Sequence, residues 1–123
     1  MTRQEGYITL AATGLNTFNL GFSTAPTWAE FIVSEKTTGD NVAHLSIGSA
    51  LLSTNQHCNS TYADAIDGDT FKSNAFVVQH YERVSGSITK ILSASFDSFT
   101  TSGIKLNVDI ANNTYQVLVK AGN

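Results

Sequence analysis

Charged residues are scarce in this chain. Lys, Arg, Asp and Glu make up 14% of its 123 residues, with seven basic and ten acidic side chains, whereas globular proteins usually carry about 25%. The net charge of −3 and the lack of a basic stripe exclude the counterion-releasing surface of a nucleic-acid-binding protein. Ser, Thr and Asn must form much of the polar surface instead. Because such a surface protects poorly against self-association, we expect a homo-oligomer.

Cysteine pairs, long apolar runs and a leader-like N-terminus are also missing. The one cysteine, Cys58, cannot form an internal disulfide, and its strand-like surroundings predict a small buried side chain. No apolar run reaches the about 18 residues that span a membrane, so we expect no membrane insertion. Residues 1–6 contain no apolar segment typical of a signal peptide, which predicts synthesis in the cytosol without a secretory signal.

The last third of the chain, residues 88–121, shows the clearest structural pattern. In 104–110 four branched aliphatic side chains alternate with Lys, Asn and Asp, so one face is apolar and the other polar. Segments 93–99 and 115–119 also alternate, and a turn at 112–113 precedes the last of them. A period of two is typical of antiparallel strands with one buried face. This region therefore predicts three successive β-strands.

Shorter strand patterns, separated by turn signals, precede this region. They cover residues 7–10, 17–20, 28–33, 42–48 and 75–81. We interpret the polar segment 56–62 as a strand at an edge or interface, 38–41 as a turn, and 63–69 as an acidic loop with room for one helical turn. About eight or nine strands at this spacing fit a sandwich or a barrel. We expect an all-β, antiparallel β-sandwich formed by a single domain over residues 1–123.

Three segments together resemble a family of bacteriophage proteins. They are Gly21-Phe22 with Pro26 before an aliphatic strand, the polar segment Asn55-Gln56-x-Cys58, and the run Ala94–Phe99 followed by Gly103-Ile104-x-Leu106-Asn107 and the aromatic last strand at Tyr115. Over about residues 6–121 the chain is similar to small tail- or virion-associated β-sandwich structural proteins, and distantly similar in layout to the trimeric H-type lectins. The resemblance implies a jelly-roll or H-type-lectin-like sandwich, homotrimeric, located in a virion and contacting other virion proteins. It carries no functional residues over to this chain.

Catalytic patterns are absent from the sequence. No Gly-x-Ser-x-Gly motif occurs, and Ser85-Gly86-Ser87 is expected in a turn without a strand-to-helix elbow. A glycosidase-type pair of Glu30 with Asp97 or Asp109 stays open, because folding decides the separation of two carboxylates. The acidic residues are otherwise few and scattered. We therefore expect a protein that is not an enzyme and that has no cofactor.

Three histidines have metal-ligand chemistry. His44, His57 and His80 are separated by 13 and 23 residues, which matches no local zinc pattern. They could converge in space or across a trimer axis, where one histidine per subunit would supply three ligands. We expect them instead on a polar sheet face or at an interface.

An acidic segment gives a second, weak metal candidate. Asp64, Asp67 and Asp69 have the acid density of a calcium loop, because hard cations prefer several carboxylate and carbonyl oxygens close together. The segment lacks the full Asp-x-Asp-x-Asp-Gly run and the closing Glu. We interpret it as a solvated turn and predict no bound metal.

Carbohydrate contact is the third possibility, since sugar sites on β-sandwiches combine an aromatic face with amide and carboxylate groups. The segment around residues 55–64 offers this mixture. Its candidate ligand-binding residues are Asn55, His57, Asn59, Tyr62 and Asp64. Trp28 is the obvious stacking residue, but its place in a central strand predicts burial in the core.

These observations predict a non-enzymatic virion component. The first hypothesis is a homotrimeric tail-fibre or receptor-binding type domain that contacts host surface glycans. One alternative is a capsid decoration or tail-assembly protein that binds only other virion proteins. A second alternative is a bacterial lectin of the same fold.

Overall fold

The computed structural model describes residues 3–34 and 43–123, and within them the regular structure consists of ten β-strands and no helix. The strands are β1 (Arg3–Leu10), β2 (Gly14–Asn19), β3 (Trp28–Ser34), β4 (Ala43–Leu52), β5 (Asn55–Ala63), β6 (Gly68–Ser73), β7 (Val78–Val84), β8 (Ser87–Phe99), β9 (Gly103–Ile110) and β10 (Asn112–Gly122). No described segment is a helix able to cross a membrane.

The strands form two antiparallel sheets. The larger sheet has the order β1-β10-β3-β4-β5-β6 and the smaller one the order β2-β9-β8-β7. Every described strand pair is antiparallel. The all-β antiparallel sandwich predicted from the sequence is therefore confirmed.

Apolar side chains from both sheets fill the space between them. The larger sheet contributes Phe31 and Val117, and the smaller one contributes Leu92, Ile104 and Leu106, all completely buried. Burial of one such side chain contributes about 1.5–3 kcal/mol to folding. Residues 104, 106 and 108 are all core positions, so the alternation that predicted strands in the last third also identifies the inward face.

Buried polar groups also join the two sheets. Gln56 on β5 donates from Nε2 to the Ser53 carbonyl at 2.7 Å, and its Oε1 accepts from the Phe96 backbone N–H of β8 at 2.8 Å. The register of β8 against β9 shifts between Phe96 and Ser98, and the Phe96 backbone N–H finds its acceptor in the opposite sheet. Ser46 on β4 acts similarly, since its Oγ accepts from the Gln79 N–H at 3.2 Å.

The backbones of the two sheets come very close at one point. A Cβ atom placed on Gly48 of β4 would lie 1.8 Å from the carbonyl oxygen of Val77, immediately before β7. Real Cβ atoms do not approach backbone atoms at that distance. Only glycine permits this approach, which brings β4 against the edge of the smaller sheet.

The middle of the chain differs from the sequence interpretation. The acidic segment forms no helical turn, and it leads into β6 at Gly68, a strand that the sequence did not reveal. The polar strand β5 is consequently not an edge, because β6 pairs with it. Both errors have the same origin: β6 is short and largely exposed, so it carries almost no hydrophobic alternation. The turn predicted at 38–41 and the first residue of the strand predicted at 42–48 lie outside the described residues.

Candidate functional site

Strand β5 divides the predicted ligand-binding residues between its two faces. Asn55, His57 and Asn59 point outward and are exposed. Tyr62 has the opposite parity and is only 3% exposed, between the sheets, and Asp64 follows the strand in a turn. The structure therefore places three of the five candidates on one surface and two elsewhere.

A concave site lies on the outward face of the larger sheet, where β3, β4 and β5 run side by side. We call it the Trp28 hollow. Its volume is about 320 Å³, and the side chains that line it are Trp28, Glu30, Ser49, Leu51, Asn55 and His57, with Ala29 and Ala50 at its floor. The hollow brings one indole ring together with a carboxylate, a hydroxyl, an amide and an imidazole.

Trp28 is half-buried in this hollow, so the predicted burial in the core is wrong. Strand β3 places Ala29, Phe31 and Val33 on its inward face, which leaves Trp28 on the outward one. The indole packs on its cross-strand partner Gly122, where a Cβ atom would lie 2.6 Å from Cζ2 of the ring. Because Gly122 has no side chain, the indole ring can lie directly on the sheet at this position.

The polar wall of the hollow is a single row across three strands. Glu30, Ser49 and His57 are consecutive cross-strand partners, and Ser49 Oγ shares a hydrogen bond of 3.0 Å with His57 Nε2. A catalytic triad also pairs a hydroxyl with an imidazole, but its acid bonds to the second nitrogen of that imidazole. Glu30 instead lies on the other side of Ser49. This order suits hydrogen bonding to a ligand better than activation of a nucleophile.

A second, more open hollow lies on the other side of His57. Its volume is about 500 Å³, and it is lined by His57, Cys58, Asn59, Lys72, Ser73 and Asn74. Asn59 therefore adjoins the Trp28 hollow without lining it. The Cys58 side chain is 1% exposed, as predicted, and burial raises the pKa of its thiol, which keeps it protonated.

Arg83 on β7 closes the acidic turn after β5, an arrangement that we call the Arg83 clasp. Its Nε donates to Asp64 Oδ2 at 2.6 Å, and its Nη2 donates to Asp67. Asp64 also accepts from the Tyr62 hydroxyl at 2.8 Å and from the backbone N–H groups of Ile66 and Asp67. The guanidinium thus stands where a cation would have to bind.

This geometry bears on the weak calcium candidates. Asp64 and Asp67 are engaged by Arg83, whereas the Asp69 carboxylate accepts from the Thr70 N–H within β6. Over residues 3–34 and 43–123 no three His, Cys, Asp or Glu side chains are grouped as metal ligands. Asp64 and Asp67 therefore serve the turn and its clasp, while Asp69 bonds to the backbone of β6.

Acid is expected to weaken the Arg83 clasp. The bond from Arg83 holds the pKa of Asp64 well below its usual range, so the clasp stabilises the fold fully above the unfolded pKa of about 3.9. That contribution is lost as the pH falls below about 4 toward the folded pKa. Urea unfolding between pH 7 and pH 3 should therefore show a steeper loss of stability for the wild type than for Asp64→Asn. Equal slopes would contradict this assignment.

Two of the three histidines are not on a sheet face, contrary to expectation. His44 and His80 are buried between the sheets with stacked rings, 4.8 Å between centroids, while His57 is exposed as predicted. Tyr62 and Tyr115 pack against His44, and the Tyr115 hydroxyl donates to Glu82 at 3.1 Å. The convergence of two histidines is real, but it occurs inside the sandwich.

The fold and the site define an antiparallel β-sandwich with a hollow on an outer sheet face, lined by a tryptophan and a few polar side chains. Comparison with protein-family models, with curated proteins and with solved structures gives no match. Of the residues that line the hollow, the sequence pointed to Asn55 and His57. It raised Trp28 as a stacking residue but predicted its burial, and it did not connect Glu30 or Ser49 with a ligand site, although the shared parity of Trp28 and Glu30 in one strand was visible.

Proposed function

We propose that the protein is a non-enzymatic receptor-binding type domain that contacts glycans through the Trp28 hollow. The observation that carries this proposal is the combination of an indole wall with Glu30, Ser49, Asn55 and His57 in one concave surface. Ligand sites combine apolar and aromatic lining with a few placed polar groups. This combination is what a sugar ring needs.

Each part of the hollow matches a part of a sugar. The apolar C–H face of a pyranose ring packs on an aromatic side chain, and its hydroxyls donate to a carboxylate and exchange hydrogen bonds with an amide. Glu30 accepts only, whereas Asn55 both donates and accepts. At about 320 Å³ the hollow is at the small end of ligand sites, which favours one or two sugar units over a long chain.

The virion location and the homotrimer belong to the same proposal and are supported by the resemblance to phage tail- and virion-associated proteins. The low charge of the chain agrees with a subunit whose faces are covered in an assembly. A bacterial lectin of the same fold would use the same hollow. Genes for virion proteins beside this one would favour the phage assignment.

A purely structural role is a second candidate, as a capsid decoration or tail-assembly protein that binds only other virion proteins. Exposed apolar side chains on the outer face of the larger sheet, among them Tyr7 and Ile47, favour this role. Electron microscopy of intact particles separates the two: decoration predicts copies over the head, and receptor binding predicts copies at the tail tip.

A glycan array with matched variants tests the proposed site. Trp28→Ala should weaken binding of the best array glycan about tenfold or more, because it removes the stacking wall. Asn55→Ala should weaken it less, and Asn107→Ala, which removes an exposed amide from the smaller sheet, should leave it unchanged. Circular dichroism checks that each variant is folded. A wild type that binds no glycan, or a Trp28→Ala variant that binds like wild type, would remove the proposal.

A further inference from the structure

Four apolar side chains form a continuous row on the outward face of the larger sheet. Tyr7, Leu118, Ile32 and Ile47 are consecutive cross-strand partners on β1, β10, β3 and β4. Tyr7 is 67% exposed and Ile47 49%, while Leu118 and Ile32 are half-buried. We call these four residues the apolar row. An exposed apolar patch of this kind marks an interaction surface.

We propose that a second copy of this chain covers the apolar row, face to face, about a two-fold axis that runs parallel to the strands between β10 and β3. This contact goes beyond the proposed glycan site and does not depend on it. A two-fold contact uses the same patch on both subunits, so the patch must be complementary to itself. The register of the sheet shows that it is.

The axis reverses the order of the strands and keeps the rows aligned. Tyr7 then faces Ile47 of the second copy, and Leu118 faces Ile32 of the second copy. Both contacts occur twice, and both join apolar side chains. Packed sheets lie about 10 Å apart, which leaves room for these side chains to interdigitate.

Charge complementarity distinguishes this axis from a two-fold axis perpendicular to the strands. The next row on the same face consists of Glu5, Lys120, Glu30 and Ser49, again as cross-strand partners. The proposed axis places Lys120 of each copy opposite Glu30 of the other. A two-fold axis perpendicular to the strands would instead place Lys120 opposite Gln116, with no ion pair.

The contact covers most of the Trp28 hollow and leaves one side of it open. Reversal of the strand order superimposes β1, β10, β3 and β4 on the same four strands of the second copy, whereas β5 and β6 lie outside the overlap. Asn55 and His57 on β5 therefore stay open, but the other four lining side chains, which belong to β3 and β4, lie within the contact. A glycan in the hollow should consequently compete with the second copy. The contact is two-fold, so it is separate from the three-fold contact that the resemblance implies.

Light scattering over a concentration series, with no glycan present, tests the contact with a matched pair of variants. Ile47→Lys should weaken the dimer about a hundredfold, because it buries an unpaired ammonium group. Val84→Lys replaces an apolar residue of similar exposure, 46%, on the smaller sheet and should leave the dimer intact. A wild type that is monomeric throughout, or an oligomer that Ile47→Lys does not change, would overturn the proposal.

Charge reversal gives a second test that separates contact between copies from stability within one. Lys120→Glu and Glu30→Lys should each weaken self-association, since like charges then face each other twice. An equimolar mixture of the two variants should associate again, because opposite charges at positions 120 and 30 face each other across the axis only in the mixed dimer. Each monomer keeps its own like-charged cross-strand pair, so restored folding cannot explain this result. A mixture as weak as the separate variants would contradict the proposed axis.

Discussion

Replacement of Gly48 by alanine is expected to destabilise the fold more than alanine at any other strand glycine of the larger sheet. The new Cβ would lie 1.8 Å from the Val77 carbonyl oxygen and 2.7 Å from its carbonyl carbon. Both atoms belong to the backbone and cannot rotate away as a side chain would. The sheets would have to separate at β4, which would open the core around them.

The expected loss for Gly48→Ala is at or above the upper end of the about 1–3 kcal/mol that overpacking usually costs. Gly6→Ala on β1 is the matched control, because a Cβ atom there meets nothing within 4 Å. It should leave the stability unchanged or raise it slightly, since alanine restricts the unfolded chain. Urea denaturation of both variants gives the comparison. A Gly48→Ala variant as stable as Gly6→Ala would mean that the two sheets are not held this close.

Replacement of Gln56 by leucine is expected to have the second largest effect. The volume is nearly kept, but the Phe96 N–H loses its acceptor and the Ser53 carbonyl loses its donor. The Phe96 N–H is buried, and a buried polar group without a partner costs about 1–3 kcal/mol, whereas Ser53 is exposed and water can satisfy its carbonyl.

Gln116→Leu provides the control for this change. Gln116 is exposed on β10, and surface substitutions usually change stability by less than about 0.5 kcal/mol. Chemical denaturation measures both variants, and amide hydrogen exchange at Phe96 should accelerate in Gln56→Leu alone. An unchanged exchange rate at Phe96 would show that another acceptor satisfies this amide.

Strands with strong hydrophobic alternation could be predicted from the sequence, and strands without it could not. Strand β9 alternates branched aliphatics with Lys, Asn and Asp, so both its existence and its buried face could be predicted. Strand β6 has a polar sequence in which Phe71 is the only large apolar side chain, and it was missed. A strand without an apolar face leaves no pattern in the sequence that would indicate the strand or its orientation.

The candidate site shows the same limit in two different strands. In β5 both parities are largely polar, so the sequence could not tell that Gln56 and Tyr62 point inward while Asn55 and His57 point outward. In β3 the outward parity still contains two large apolar side chains, Trp28 and Ile32, which made Trp28 look like a residue of a central, buried strand. A shift of one residue exchanges the two faces of a strand, and only an asymmetric pattern fixes which face is buried.

The sequence by itself determined the class of fold, the last three strands and the burial of Cys58, because each depends on local alternation and composition. The tertiary structure alone decided the Trp28 hollow, the Arg83 clasp and the stacked His44 and His80. Each of these joins residues from different strands, and which strands become neighbours depends on the pairing order of the whole sheet. That order arises from the packing of all the strands together, so no single segment encodes it.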